Sequence, residues 1–479
     1  MSDPIVSLSA RSLATLLPDL SALPGALYIA LTDAVTALIR DGRVAPETRL
    51  PSERALAEEL RLSRATVSSA YDQLRERGLL ASRTGAGSFV TLPDPPGRRS
   101  DFARWSVASP ETVIDLSCAA LSAPEGVLER AISHALGRLG EVTSSDGYNP
   151  TGLAPLRAAV ARRFTERGVP TGPEQIAVTN GALHAFDLLL RLLVGPGDRV
   201  VTELPSYPGA FDAIRANSAR VVPVPMSPGG GWDVRQLQAS VRQTSPRLAY
   251  LIPDFHNPTG CLVDEESRRE VFRTARQAGT SVVVDESFVD VGFVAPVRPS
   301  AAIDPSVITI GSISKPVWGG LRIGWIRASA DLVRRLALLR ATTDLAGSAL
   351  DQLVASGLFP HLDEIAAARR AELLPRRDGL LAALKRELPG WRWVVPDGGL
   401  SVWVELDEPL ATPLTLAAAH AGVHIVPGSR FGVDGTLERF IRLPFAGPVD
   451  ELELAVRRLA EVWRRLERSQ PAQRPLVVA

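Results

Sequence analysis

Lysine is nearly absent from this chain of 479 residues: of its 53 basic residues only Lys315 and Lys385 are lysine. Arginine replaces lysine on most surfaces but stays protonated at ordinary pH, so it cannot form a Schiff base with a carbonyl. A lysine retained in such a chain therefore invites inspection. Cysteine is equally scarce. Cys118 and Cys261 lie far apart, in no CxxC or metal-ligand spacing. Both read as core or incidental residues, and no redox, zinc or other metal role is expected. Net charge is missing too, with 53 acidic residues against the 53 basic ones. Whole-chain charge thus says nothing about a nucleic-acid partner, and any contact with DNA must come from local placement. No run of about 18 apolar residues occurs. Met1 to Leu20 lacks the basic start and unbroken apolar stretch of a secretion signal. The expectation is a cytoplasmic protein without a membrane partner. What is plentiful is apolar residue, 45% of the chain, enough for large cores, and the length suggests about two or three domains.

The first block runs from about Pro24 to Leu92. Leu27, Leu31, Val35 and Leu38 recur at helical spacing and predict a helix ending near Asp41-Gly42. A second helix opens at Ser52, with Leu56, Ala57 and Leu60 inward. The turn Arg61-Leu62-Ser63 leads to a third over Arg64 to Arg77, where Val67, Ala70, Tyr71 and Leu74 form the buried stripe and Gly78 ends it. Leu79 to Arg83 and Ser88 to Thr91 flank a glycine turn and read as a hairpin. Three helices followed by a hairpin make a winged helix-turn-helix. In such a fold the second helix of the motif enters the major groove by its first residues. Ser63, Arg64 and Thr66 occupy that position, away from the stripe. Arg64 suits a bidentate pair with guanine, worth roughly 1 to 3 kcal/mol of discrimination. Arg54 is better placed for a phosphate, and Arg83 lies beside the wing. Nine arginines and eight acidic residues stand between Pro24 and Leu92, so the turn and wing, and not charge, carry the DNA reading.

The strings RLPSERALAEEL, LSRATVSSAYDQLRERGLL and SRTGAGSFV resemble the winged-helix domain of the GntR superfamily of repressors. The resemblance implies contacts with a double-stranded DNA operator by Arg54, Arg64, Thr66 and the wing glycine Gly87. Ser68 departs from it, standing where many members carry a further arginine.

Residues 93–112, rich in Pro, Gly, Ser and Arg without periodicity, read as a linker between a domain over 1–92 and another over 113–479. Beyond it, short apolar runs such as Arg199 to Thr202, Leu248 to Ile252, Ser281 to Val284 and Val307 to Ile310 alternate with helical segments. Such runs indicate a mainly parallel sheet covered on both faces, an α/β fold. Lys315 follows the last of these strands, at the end where open sheets bind ligands. A carbonyl cofactor there would form an imine with it, with the neighbouring serines and Arg322 free to hold a phosphate. Asp285 follows another strand, and a buried carboxylate needs a cationic partner, which a protonated pyridine nitrogen supplies. Asn257 can donate to a phenolate oxygen. Gly181 and Ala182 open a helix whose amides and dipole suit a phosphate. Tyr207 offers a flat face for a ring.

The series YNPTGLAPLR, VTNGALHAFDLL, ELPSYPGA, IPDFHNPTG, VVVDES, SISKPVWGGLRIGW and IRLPFA resembles fold-type I pyridoxal-phosphate enzymes, the aspartate aminotransferase family, from about Ile114 to Trp463. The resemblance implies the pyridoxal-phosphate transferase fold with a small C-terminal α+β subdomain. It implies pyridoxal 5'-phosphate as cofactor on Lys315, with Asp285 at the pyridine nitrogen, Asn257 at the ring oxygen and Tyr207 stacked on the ring. Ser312, Arg322, Gly181 and Ala182 bind the phosphate. Tyr148 reaches the phosphate of a partner subunit, and Arg442 grips an amino acid's carboxylate. Two departures bear on transamination: Phe288 stands where these enzymes commonly carry tyrosine, and His184 where glutamine is frequent. Winged helix plus aminotransferase-like body resembles the MocR/GabR regulators, which implies a homodimer, a small-molecule effector and a regulatory in place of an enzymatic role. The effector is either an amino compound or pyridoxal phosphate itself. The competing reading is an active aminotransferase with an appended DNA-binding domain.

Overall fold

A computed structural model describes residues 7–18, 20, 26–83, 87–91, 113–294, 297–433 and 435–469. The linker expected over 93–112 lies outside them.

The head is built from helices Leu27–Arg40, Glu53–Leu60 and Arg64–Glu76 and the hairpin Leu80–Arg83 with Gly87–Val90. Ser52 and Ser63 accept the backbone N–H groups of Ala55 and Thr66 at 3.2 and 3.0 Å. Each cap satisfies an amide that the helix itself cannot. Arg61 ends its helix in the left-handed region, at φ 54°, and so turns the chain sharply into the next. The stripe Val67, Ala70, Tyr71 and Leu74 is buried as its spacing predicts. Two details differ from expectation. Leu27 is 41% exposed, because the first turn of its helix overhangs the core. A further helix, Ala10–Leu16, adds Leu13 to that core; its seven residues are too few for periodicity to declare it.

The body contains a seven-stranded sheet. Its spatial order is Ile176–Thr179, Gly324–Arg327, Ile308–Ser312, Ser281–Asp285, Leu248–Leu251, Arg199–Leu204 and Arg220–Pro225. Only Gly324–Arg327 runs antiparallel to its neighbours. Alternate residues feed two cores. Leu248, Tyr250 and Val283 pack with Leu189, Ile214 and Leu336 on one face. Ala249, Leu251, Val282 and Val284 pack with Leu237, Val271 and Phe272 on the other. Because both faces are covered, the strands read as unbroken apolar runs. Each fully buried Leu or Val contributes about 1.5–3 kcal/mol.

The small C-terminal subdomain is an antiparallel sheet in the order Arg392–Trp393, Ser401–Glu405, Phe440–Pro444, Val426–Pro427. It is packed by the helices Leu362–Glu387, Ala411–His420 and Val449–Ser469. Among the described residues no helix is long and apolar enough to cross a membrane.

The head rests on the body. The Leu437 N–H donates to the Arg40 carbonyl, Arg439 Nε lies 3.5 Å from Asp41 Oδ1, and Ala45 joins Leu204, Phe211, Val433 and Leu437 in one apolar cluster. Gly42, at φ 71°, permits the approach, since a Cβ there would come within 2.8 Å of Leu437 Cδ2.

Candidate cofactor crevice and DNA-facing surface

On the head, Arg54 and Arg64 are exposed, each at the start of a helix. Ser63 is the N-cap of the second, its Oγ 2.8 Å from the Thr66 hydroxyl, so these two side chains hold the helix start in place. The helix is pinned from behind by the buried Tyr71, whose hydroxyl donates to the Pro51 carbonyl at 2.8 Å. In the wing Gly87 pairs with Arg83, whose side chain lies outside the described residues. Gly87 has φ 108°, and a Cβ there would meet the Arg49 guanidinium at 2.8 Å. Arg49 thus stands against the wing as a further exposed cation. Its position in a loop before the second helix offered no motif to single it out.

In the body, the parallel strands deliver the site residues to one end of the sheet. Asp285 is the last residue of its strand, Lys315 lies three beyond Ser312, and Tyr207 three beyond Leu204. Lys315 Nζ donates to the Ala119 carbonyl at 2.9 Å and lies 5.3 Å from the centre of the Phe288 ring. Burial, and then the nearby cations Arg442 and Arg322, draw its pKa down to about 8, with Cys118 and Asp285 opposing. The amine is therefore neutral, and nucleophilic, far more often near neutral pH than an ordinary lysine.

Asp285 is 8% exposed. It accepts the Tyr250 hydroxyl at 2.7 Å on Oδ2 and the Ser287 N–H at 2.9 Å on Oδ1. Burial raises its pKa against these hydrogen bonds, which leaves a fixed carboxylate that favours a cationic partner. In the sequence Tyr250 is one residue of an apolar strand, with no local sign of this role. Its role depends on Tyr250 and Asp285 ending up on adjacent strands, facing the same side.

Gly181 takes φ 91°, and a Cβ there would lie 2.7 Å from Arg322 Nη2. Arg322 in turn donates to the Asn180 carbonyl at 2.8 Å. The helix Ala182–Leu193 starts at this glycine without a side-chain cap, so its first amides face the cradle that Arg322 closes. Ser312 Oγ stands 2.7 Å from Ser314 Oγ. His184 turns away from a ligand role: its Nδ1 accepts the Asn180 N–H at 3.0 Å, and its Nε2 lies 3.6 Å from Asp344.

Arg442, on the strand Phe440–Pro444, is 8% exposed. Its Nη2 donates to the Ser117 carbonyl at 2.6 Å, its Nη1 reaches Asn257 Oδ1 at 3.5 Å, and its guanidinium lies 4.8 Å from the centre of the Phe431 ring. Burial draws its pKa down to about 10. Among the described residues its Nε has no hydrogen-bond partner. Cys118, expected to be core or incidental, is exposed. It lies between the two residues whose carbonyls hold Arg442 and Lys315, because the segment after Ile114–Asp115 lines the crevice. Tyr148 is 67% exposed and makes no side-chain contribution to this chain's crevice.

Pyridoxal phosphate fits these residues. A fixed carboxylate awaits a cation, an amine of lowered pKa awaits a carbonyl, and a glycine and arginine cradle at a helix start awaits an anion. The orphaned Arg442 Nε adds a donor for a carboxylate.

Comparison with known proteins agrees with this geometry. Residues 111–459 match the model of aminotransferase class I and II, and residues 27–90 that of the bacterial regulatory proteins of the gntR family. The HTH-type transcriptional regulator YisV of Bacillus subtilis is 29% identical over 460 residues, covering 89% of this chain and 94% of its own. The probable rhizopine catabolism regulatory protein MocR of Rhizobium meliloti is 30% identical over 434 residues, 84% of this chain and 86% of its own. The crystal structure of LysN, the α-aminoadipate aminotransferase of Thermus thermophilus complexed with N-(5'-phosphopyridoxyl)-L-leucine, superposes with a TM-score of 0.69. It has 29% identity and covers 75% of this chain and 94% of its own. The chain belongs to the aminotransferase class I and II family and, with a gntR-type head joined to that body, to the MocR-type transcription regulators.

Proposed function

We propose that this chain regulates transcription in response to pyridoxal 5'-phosphate or to an amino compound captured with it. In this reading residues 1–92 bind an operator, 93–112 link, and 113–479 hold the cofactor on Lys315. The observation that carries the reading is the meeting of Lys315, Asp285 and Arg442 in one crevice of a chain that also bears a helix-turn-helix.

Bound pyridoxal phosphate would supply an aldehyde that captures a primary amine. The chain's own residues do the rest. Lys315 offers an uncharged amine in a far larger fraction of molecules than an ordinary lysine does, because burial has removed part of its affinity for a proton. Asp285, oriented by Tyr250 and Ser287, holds the proton of the pyridine nitrogen. Asn257 keeps its oxygen toward Arg442, which leaves its amide nitrogen to donate to the ring oxygen. Tyr207 stacks on the ring. Gly181, Ala182, Ser312 and Arg322 take the phosphate, and Arg442 takes the carboxylate of the captured amine through its fork. Exposed Tyr148 serves the phosphate of the partner in a homodimer. On the head, Arg64 and Thr66 read base edges, Ser63 fixes the helix start, and Arg54, Arg83 and the wing at Gly87 engage the backbone.

Fluorescence anisotropy on fragments from upstream of neighbouring genes tests this. Operator affinity is expected to change when pyridoxal phosphate, alone or with an amino acid, is added. Unchanged affinity under every such addition would sink the sensory reading. A change with cofactor alone identifies pyridoxal phosphate as the effector; a change only with an added amine identifies the amino compound.

A second reading, a working aminotransferase, is favoured by the completeness of the lysine, aspartate and arginine set. Phe288 opposes it, because the ring under Lys315 has no hydroxyl to give. Sustained keto-acid release over many turnovers would establish the enzyme; a single turnover per chain fits the regulator.

A further inference from the structure

Between head and body lies a cavity of about 420 Å³, within the roughly 300–1,000 Å³ usual for small-molecule sites. One wall is the head's loop from Arg43 to Thr48. The other is the outermost strand of the large sheet, Arg220–Pro225, with the helix Val234–Thr244 behind it. Four arginines line the cavity, Arg43, Arg199, Arg215 and Arg220, against one acidic residue, Glu47. In a chain whose charges balance, that is a local concentration of positive charge. Much of it is already engaged: Arg199 Nη1 lies 3.4 Å from the Thr244 carbonyl, Arg215 Nη1 lies 3.7 Å from Asp212, and Arg220 and Glu47 have partners as well. A guanidinium has five N–H donors, so contacts of this kind leave donors to offer.

The cavity is separate from the cofactor crevice. Arg199 and Arg220 begin their strands, whereas Tyr207 follows the far end of the first of them, and six residues of strand span roughly 16 Å. It also adjoins the contact that seats the head, where Ala45 meets Val433 and Leu437.

We propose that this cavity binds a small polyanion, a molecule with two or more carboxylate or phosphate groups, that bridges Arg43 of the head to Arg220 of the body. Such a ligand touches both units at once, so it favours the arrangement in which the head is seated. Arg54 and Arg64 lie on helices that do not line the cavity and are left open, while the wing strand touches the cavity's wall only from behind, where Val90 exchanges backbone hydrogen bonds with Glu47 and Thr48. The protein would then have a second chemical input that does not pass through Lys315.

The test uses the full chain saturated with pyridoxal phosphate and titrates it calorimetrically with citrate and, separately, inorganic pyrophosphate at fixed ionic strength. At least one probe is expected to saturate at one site per chain. Arg43→Ala and Arg220→Ala should each weaken that binding tenfold or more and leave the cofactor's visible band in place, which reports an intact body. Arg334→Ala, which removes an exposed cation outside the cavity, should bind as wild type. Arg43→Gln and Arg220→Gln repeat the measurement should an alanine variant misfold. The two probes distinguish a carboxylate from a phosphate ligand. Failure of both to saturate, or equal weakening by Arg334→Ala, overturns the proposal. No DNA enters the assay, so its failure is independent of the regulatory reading.

Discussion

In the head, the contacts that shape the DNA-facing surface are short in sequence: Tyr71 reaches back 20 residues to Pro51, and Ser63 caps three residues ahead. In the body, Lys315 reaches Ala119 across 196 residues and Arg442 reaches Ser117 across 325. The head's surface forms as soon as its helices pack. The crevice exists only once the sheet, the small subdomain and the segment at 114–119 have all come together. Damage to one unit should therefore be felt locally, except where the two touch.

The largest effect that sharpens this contrast is expected from Lys315→Ala. It should abolish the visible band of lysine-bound cofactor at saturating pyridoxal phosphate, while the variant without cofactor still binds operator. Loss of both properties would show that the head depends on the crevice for its fold. Arg64→Ala is the mirror experiment. Operator binding, followed by footprinting, should weaken by about 1–3 kcal/mol, with the band untouched. Smaller still is Tyr250→Phe. It deletes one hydrogen bond to Asp285, so cofactor affinity should fall by about 0.5–1.5 kcal/mol, roughly two- to tenfold, measured by absorbance titration, and DNA affinity should not change.

A pH-dependent effect concerns the seam. Burial, opposed chiefly by Arg439, raises the pKa of Asp41 from 3.8 to about 6. The folded chain thus holds this proton where the unfolded chain has released it. The stabilising contribution is complete below about pH 4 and is lost as pH rises through 6. Asp41→Asn should flatten that part of the dependence of melting temperature on pH. An unchanged slope would mean that head and body meet differently in solution.

The head was legible because helix period, caps and glycine stops are local signals. Val67, Ala70, Tyr71 and Leu74 fell on one face as their spacing required. The body's strands were legible as unbroken apolar runs, and Lys315 by its rarity. Tyr250 was not, because a tyrosine in an apolar strand has the same pattern whether its hydroxyl meets a carboxylate or nothing. Cys118 was not, because no residue near it in sequence is a partner. Arg49 and the seam escaped for the same reason.

The order of residues by itself determined the two units, the type of each main helix and strand, and the set of groups available for chemistry, since these follow from periodicity and side-chain type. Only the tertiary structure decided which groups lie within 3 Å of one another, how far burial moved Lys315 and Asp41 from their ordinary pKa values, and where head meets body. Hydrogen bonds and desolvation depend on distance and surroundings in space, and chain closure over hundreds of residues sets both.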